Sequence, residues 1–227
     1  GNTGFQNPTY YGGTSSVYWN FRRAPGFFDV VCWTFGGSAG SVNHNLGVTP
    51  ELIIYRIRNV NADWYTFTQQ NGYLRINWAN AAAGSGSGLG SSWANATSTT
   101  IDSGNNIGAG ASQTLVAYLF ATCPGVSKVG SYTGTGAAQN INCGFVSGAR
   151  FVLIKRTDST GNWFVWDTAR GINGTGVNDP YLTLNNATGE NTGNDFLTTY
   201  SSGFGLTSNA TAALNASGGS YIYLAIA

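Results

Sequence analysis

The stretch Phe151 to Gly171 reads FVLIKRTDSTGNWFVWDTARG, and 99 positions earlier Leu52 to Gly72 reads LIIYRIRNVNADWYTFTQQNG. Each runs a β-branched apolar segment into a cation, then a turn of Asn, Asp or Gly, then a second segment led by Trp. At the same offset VVCWTFGG, from Val30, lies over VGSYTGTG, from Val129, and VNHN lies over INCG. After a nine-residue insertion (INGTGVNDP, Ile172 to Pro180), YLRIN at Tyr73 to Asn77 meets YLTLN at Tyr181 to Asn185. The copies close alike, with TLVAYLFA at Thr114 to Ala121 against SYIYLAIA at Ser220 to Ala227. Self-similarity at a fixed offset is the mark of a duplicated structural unit. The chain thus divides into an N-terminal segment (1–28), a first β-repeat (29–125) and a second β-repeat (126–227), the two repeats expected to pack as one unit.

Within the first repeat, Asp29 to Thr34, Leu52 to Arg58, Trp64 to Thr68, Tyr73 to Asn77 and Thr114 to Ala121 are short, rich in Val, Ile, Thr and aromatic residues, and bounded by Gly, Asn and Ser. Such segments are strands, with a weaker one near Thr99 to Ile101. No segment shows an amphipathic helical stripe with caps. About six strands per repeat predict an all-β fold, an antiparallel β-sandwich of jelly-roll or lectin-like kind. IIYRIR and VLIKR are apolar on both faces and end in cations, which predicts central strands that carry those cations to the sheet rim. The NADW and STGNW turns each close a hairpin.

Composition narrows the function. Charged residues are 8% of the chain where about 25% is usual, so Gly, Ser, Thr and Asn must cover the surface. Ten Lys and Arg against nine Asp and Glu, with no basic run beyond a pair, predict neither nucleic acid nor anionic membrane as partner. No apolar run is long enough to insert into a membrane as a helix. Without any Met and with Gly first, the chain reads as a piece of a longer polypeptide. Cys32, Cys123 and Cys143 lack metal spacing and an even count, and are expected to be small buried residues.

Catalytic machinery is sparse. His44 stands alone in NHNLG, opposite Cys143 of the other repeat, and is expected to be a structural hydrogen-bonding residue. No Ser lies in a GxSxG elbow. Asp29, Asp63, Asp158, Asp167 and Asp179 fall at strand ends or turns, where Asp serves the backbone. Glu51 sits beside Pro50, and Glu190 lies in a Gly and Asn loop, so no acid pair for glycoside hydrolysis stands out. The loops Asn173 to Pro180 and Gly189 to Asp195 offer oxygen ligands without calcium-loop spacing, and GSGSGLG at Gly84 to Gly90 lacks the Lys-Ser/Thr of a phosphate cradle. A non-enzyme with no cofactor and no metal is expected.

Tyr, Trp, Ser, Gly and Asn are instead the vocabulary of contact surfaces. Trp64 and Trp163 match each other and are expected in the core, as is Trp33. Trp78 and Trp93 flank the Gly- and Ala-rich loop inserted after YLRIN and have no Trp counterpart in the second repeat, which makes them the ligand-binding candidates. Asp167 and Arg170, replaced by Thr68 and Asn71 in the first copy, are expected to form a structural ion pair.

The phrases VYWNFRRAPGFFDVVCW, HNLGVTPELIIYRIR, VGSYTGTG, ARFVLIKRTDSTGNWFVWDTARG and YIYLAIA together resemble a poorly characterised repeat domain of bacteriophage tail and tail-fibre proteins, over Val17 to Ala227. The resemblance carries over no catalytic residue. It implies a virion-surface, extracellular appendage, either a host-attachment module that binds a surface glycan or protein or a purely structural fibre or capsid decoration module. It also implies a homo-oligomer, a trimer being one form, or contacts with other virion proteins. The apolar N-terminal stretch NPTYYGGTSSVYWNF is a place for a neighbour to dock or an extra strand on its own chain.

Overall fold

The computed structural model describes residues 17–68, 72–83, 96–104 and 108–227. These residues are all-β and antiparallel, with one short helix among them, α1 (Ala212–Asn215). The first repeat supplies β1 (Phe28–Thr34), β2 (Ser41–Asn43), β3 (Leu52–Ile57), β4 (Trp64–Thr68), β5 (Tyr73–Arg75), β6 (Thr100–Asp102) and β7 (Thr114–Phe120). The second supplies β8 (Ser127–Thr133), β9 (Gln139–Asn142), β10 (Phe151–Arg156), β11 (Trp163–Asp167), β12 (Leu182–Thr183), β13 (Leu197–Tyr200), β14 (Gly203–Leu206) and β15 (Ser220–Ile226). Among the described residues the repeats thus hold seven and eight strands rather than about six. The extra ones are β2, β9 and β13, too short or too polar to stand out from their loops.

The two large sheets share one topology. The first runs β1-β7-β3-β4-β5 and the second β8-β15-β10-β11-β12, each a three-strand meander with the repeat's last strand inserted beside its first. Small sheets accompany them, β2-β6 in the first repeat and β9-β14-β13 in the second.

Strand alternation sends neighbouring side chains to opposite faces, and here both faces are buried. In β3, Ile53, Tyr55 and Ile57 pack with Leu115, Leu119 and Ile101 under the β2-β6 pair. Leu52 and Ile54 turn the other way, onto a core shared with Leu153, Trp163, Val165, Ile222 and Leu224 of the second repeat. In β11, Phe164 and Trp166 pack beneath β9, β13 and β14 with Ile141, Leu197 and Phe204. The result is a four-layer stack in which the large sheets of the two repeats meet face to face. This explains the two-faced apolar strands without a parallel sheet or a helical cover.

The cation at the end of VLIK does not reach the rim. Lys155 lies on the shared-core face at 0% exposure, and its ammonium donates to the carbonyls of Ala79 (3.2 Å) and Arg156 (2.7 Å). Burial, helped by neighbouring Arg156, pushes its pKa down to about 8. Ala79 belongs to the first repeat, so this ammonium ties the seam, along with Gly161 N–H to Ala79 O (2.8 Å) and Ala82 N–H to Thr157 O (2.8 Å). The rule of cations at a rim failed because the first repeat covers that rim.

Residues 17–23 of the N-terminal segment form no strand; residues 1–16 lie outside the described part. The described part straps the seam instead. Phe21 makes edge-on contacts with Phe120 and Phe151, one from each repeat. The three cysteines are free thiols, and Cys32 is exposed rather than buried.

Candidate functional site

The corner after β5 gathers the unmatched residues of the first repeat. β5 pairs with β4 so that Tyr65 stands opposite Arg75, and the Arg75 guanidinium lies 5.5 Å from the Tyr65 ring centroid and 5.6 Å from that of Tyr73. A turn closed by Trp78 N–H to Arg75 O (3.1 Å) brings the indole of Trp78 over the same guanidinium at 4.2 Å. Such stacking uses the ring's negative face to hold a cation.

Asp63, at the end of the NADW turn, fixes the arrangement. Its Oδ1 accepts from Asn77 Nδ2 (2.8 Å) and Trp78 Nε1 (3.1 Å), and its Oδ2 pairs with Arg75 Nε at 3.2 Å. Asn77 in turn accepts the Trp64 N–H at 3.0 Å. From the second repeat, Trp163 Nε1 donates to the Arg75 carbonyl at 2.9 Å, so the platform rests on the seam and not on a free loop. Trp78 nonetheless stays 41% exposed. A cavity of about 70 Å³ beside it is lined by Tyr73, Leu74, Arg75, Trp78, Asn80, Ala81 and Ala83.

The second repeat keeps the frame and drops the platform. Trp163 N–H donates to Asn185 Oδ1 (2.8 Å), and Asn185 Nδ2 donates to Asn162 Oδ1 (2.9 Å), the same pair of bonds as around Asn77. At the positions of Arg75 and Trp78 stand Thr183 and Asn186, joined by a hydroxyl-to-amide bond of 2.6 Å. Closing this corner therefore needs only the Asn-centred bonds; the Arg75 and Trp78 stack is an addition.

The remaining candidates resolve into structural roles or fall outside the described residues. Trp93, like residues 84–95 as a whole, lies outside them. Asp167 and Arg170 pair at 3.0 Å with side chains only 12% and 11% exposed. Trp19 joins them, its Nε1 donating to Asp167 Oδ2 (2.9 Å) and its ring lying 5.4 Å under the Arg170 guanidinium. Arg170 Nε also faces Glu190 at 3.5 Å. His44 accepts the Leu46 N–H on Nδ1 and donates from Nε2 to Thr97 O, each at 3.2 Å, and burial lowers its pKa.

Glu51 accepts the Thr122 N–H at 2.8 Å, a brace between strand ends. In the loop of the nine-residue insertion, Asp179 is buried and accepts the N–H groups of Asn173 (2.7 Å) and Leu197 (3.2 Å). Burial pushes its carboxyl up to about 6. Asp195 accepts the Gly176 N–H at 2.8 Å. Asp179 thus ties the insertion loop to β13, and Asp195 holds the same loop through Gly176. Among the described residues no three of His, Cys, Asp and Glu gather as metal ligands would.

Trp64 and Trp163, alike in sequence, part company here. Trp163 is 1% exposed, whereas Trp64 is half-buried, stacked on Tyr118 at 6.2 Å with Arg56 at 5.5 Å. It lines an apolar cleft of about 630 Å³ at the edge of the seam, with Trp19, Phe21, Phe28 and Phe120. Asp63 and Arg75 escaped selection from the sequence. The signal was present in the repeat comparison, since both are charged where the second copy has Asn162 and Thr183.

No curated protein and no solved structure matches this chain. A family model described as "Domain of unknown function (DUF7483)" matches residues 13–227, nearly the whole length including both repeats. The chain belongs to the DUF7483 family.

Proposed function

We propose that this chain is a non-enzymatic recognition module of a bacteriophage virion, part of a tail fibre or spike, which meets a host-surface glycan or protein through the first-repeat corner. The observation that carries the recognition role is the exposed Trp78, stacked on Arg75 and locked by Asp63, at a place where the other repeat closes with asparagines alone. An aromatic ring pre-fixed by packing and hydrogen bonds binds without the entropic penalty of ordering itself. A stiff four-layer sheet stack and a formal charge of +1 suit contact outside cells, where salt screens charge-based attachment. The phage setting, the virion-surface location and the expected homo-oligomer rest on the sequence resemblance.

The test is binding of fluorescently labelled protein to whole bacteria and to an immobilised glycan panel, with Trp78→Ala and Trp93→Ala alongside. Saturable binding lost in Trp78→Ala, with the glycans recovered unaltered, is the expected result. Undiminished binding by the double variant would remove the site. Absence of any binding by the wild-type protein would favour the structural fibre or decoration role.

A further inference from the structure

The first-repeat corner also defines the chemistry of its ligand, an inference that rests on the recognition role above. We infer that the ligand is a neutral, hydroxyl-rich sugar residue, not an acidic one, seated on Trp78 with neighbouring hydroxyls shared between Asp63 and Arg75. Three features lead there.

First, Arg75 covers one face of the Trp78 indole at 4.2 Å, so the 41% of Trp78 that remains exposed is the surface a ligand meets. A flat, weakly polar ring suits the C–H face of a pyranose better than it suits a charged group. The indole N–H is already spent on Asp63, so the ring offers contact area without an unsatisfied donor.

Second, the polar groups beside the ring come as an acceptor and a donor together. Asp63 Oδ1 takes two hydrogen bonds from the protein, while among the described residues Oδ2 faces the Arg75 Nε alone. A carboxylate oxygen accepts more than one bond, and a guanidinium paired through Nε keeps its in-plane Nη donors. The Asp63 and Arg75 side chains are 25% and 21% exposed, which puts both within reach of solvent. A hydroxyl both donates and accepts, so two adjacent hydroxyls satisfy this acceptor and donor pair at once.

Third, the charges cancel. Asp63 and Arg75 are 3.2 Å apart, so a carboxylate arriving at Arg75 also meets the Asp63 carboxylate, and the attraction of one is offset by the repulsion of the other. The adjoining cavity of about 70 Å³ suits a substituent such as a hydroxymethyl arm rather than a whole sugar ring. The ring therefore lies on the indole, with a substituent in the cavity.

Wild-type protein, Trp78→Ala and Asp63→Asn are titrated against oligosaccharides ending in neutral hexose, N-acetylhexosamine, uronic acid or sialic acid, at low and high salt. Asp63→Asn copies Asn162 of the second repeat, whose bond to Asn185 shows that the frame forms without the carboxylate. The expected result is selective binding of a neutral sugar, altered by less than about twofold by salt. Trp78→Ala should weaken it about tenfold or more. Asp63→Asn should weaken it by about tenfold while strengthening acidic-sugar binding, because Arg75 loses its counter-charge. Wild-type preference for uronic or sialic acid, steeply reduced by salt and dependent on Trp78, would overturn the neutral-ligand inference and leave the recognition role standing. Glycan binding indifferent to Trp78→Ala would overturn both, whereas no glycan binding by folded wild-type protein that still binds whole bacteria through Trp78 would overturn the sugar inference alone.

Discussion

The same corner of the same fold is built twice in this chain, and only one copy carries an exposed ring stacked on a cation. Around Asn77 and Asn185 the hydrogen bonds agree bond for bond: each amide oxygen takes the N–H of a strand-leading Trp, and each amide nitrogen reaches the side chain just before that Trp. Beyond that frame the copies diverge. The first adds the Arg75 cation, the Trp78 ring and the Asp63 carboxylate; the second has Thr183 and Asn186, bonded to each other. Duplication separates what a corner needs to fold from what it carries besides, a distinction that a single copy cannot supply.

The largest effect that would break the comparison lies in the two Trp residues that open β4 and β11. Trp163→Ala removes a ring that is 1% exposed together with the Trp163 Nε1 bond to Arg75, and should cost about 3–5 kcal/mol in denaturant unfolding. Trp64→Ala, at a half-buried position, should cost about 1–2 kcal/mol. Equal costs would mean that the seam is not packed as described.

Lys155 and its counterpart Arg56 give the next contrast. The Lys155 pKa is about 8 in the folded chain and its ordinary value is about 10.5. Between those pH values the unfolded chain binds more protons, so this residue's contribution to stability rises with pH, by up to about 3 kcal/mol. Below pH 8 the ammonium is buried at a penalty, and above about 10.5 the gain is complete. Tyr181 and Tyr221, whose pKa values burial raises, push the other way above neutrality, so the readout is wild type minus Lys155→Met. That difference should grow with pH from 8 to 10.5, and a flat difference would show the ammonium to be solvated.

Arg170→Ala tests the second hairpin against the first, which has Thr68 at the position of Asp167. Removing the Arg170 side chain leaves a nearly buried Asp167 with the Trp19 indole and one backbone N–H, for an expected loss of about 2 kcal/mol. An unchanged midpoint would end its structural role. Smallest of all, Trp78→Ala should shift stability by less than about 0.5 kcal/mol, because the Asn-centred frame persists without it.

The repeat, the sandwich class and most strand positions could be read from the sequence because they depend on local pattern: β4 begins and ends where its apolar segment does, and β1, β3 and β7 lie within a residue of their expected bounds. What could not be read depends on which face of a two-faced strand meets the other repeat. VLIKR and IIYRIR look alike, yet Lys155 is sealed in the seam while Arg56 lies beside Trp64. Trp64 and Trp163 differ in burial for the same reason. In the candidate site, Trp78 was visible as an unmatched aromatic. Its link to Asp63, 15 positions away, arises only when the turn after β5 folds back onto the β3–β4 turn, a convergence that no local pattern records.

The central claim is that the first corner carries a contact platform on a frame that folds without it. Its most direct test grafts the second corner onto the first, as the double variant Arg75→Thr/Trp78→Asn, and measures thermal unfolding and glycan binding on the same preparation. The account predicts a cooperative transition within a few degrees of wild type and about tenfold or greater loss of binding. Wild-type binding by the folded graft would contradict it, as would a graft that cannot fold.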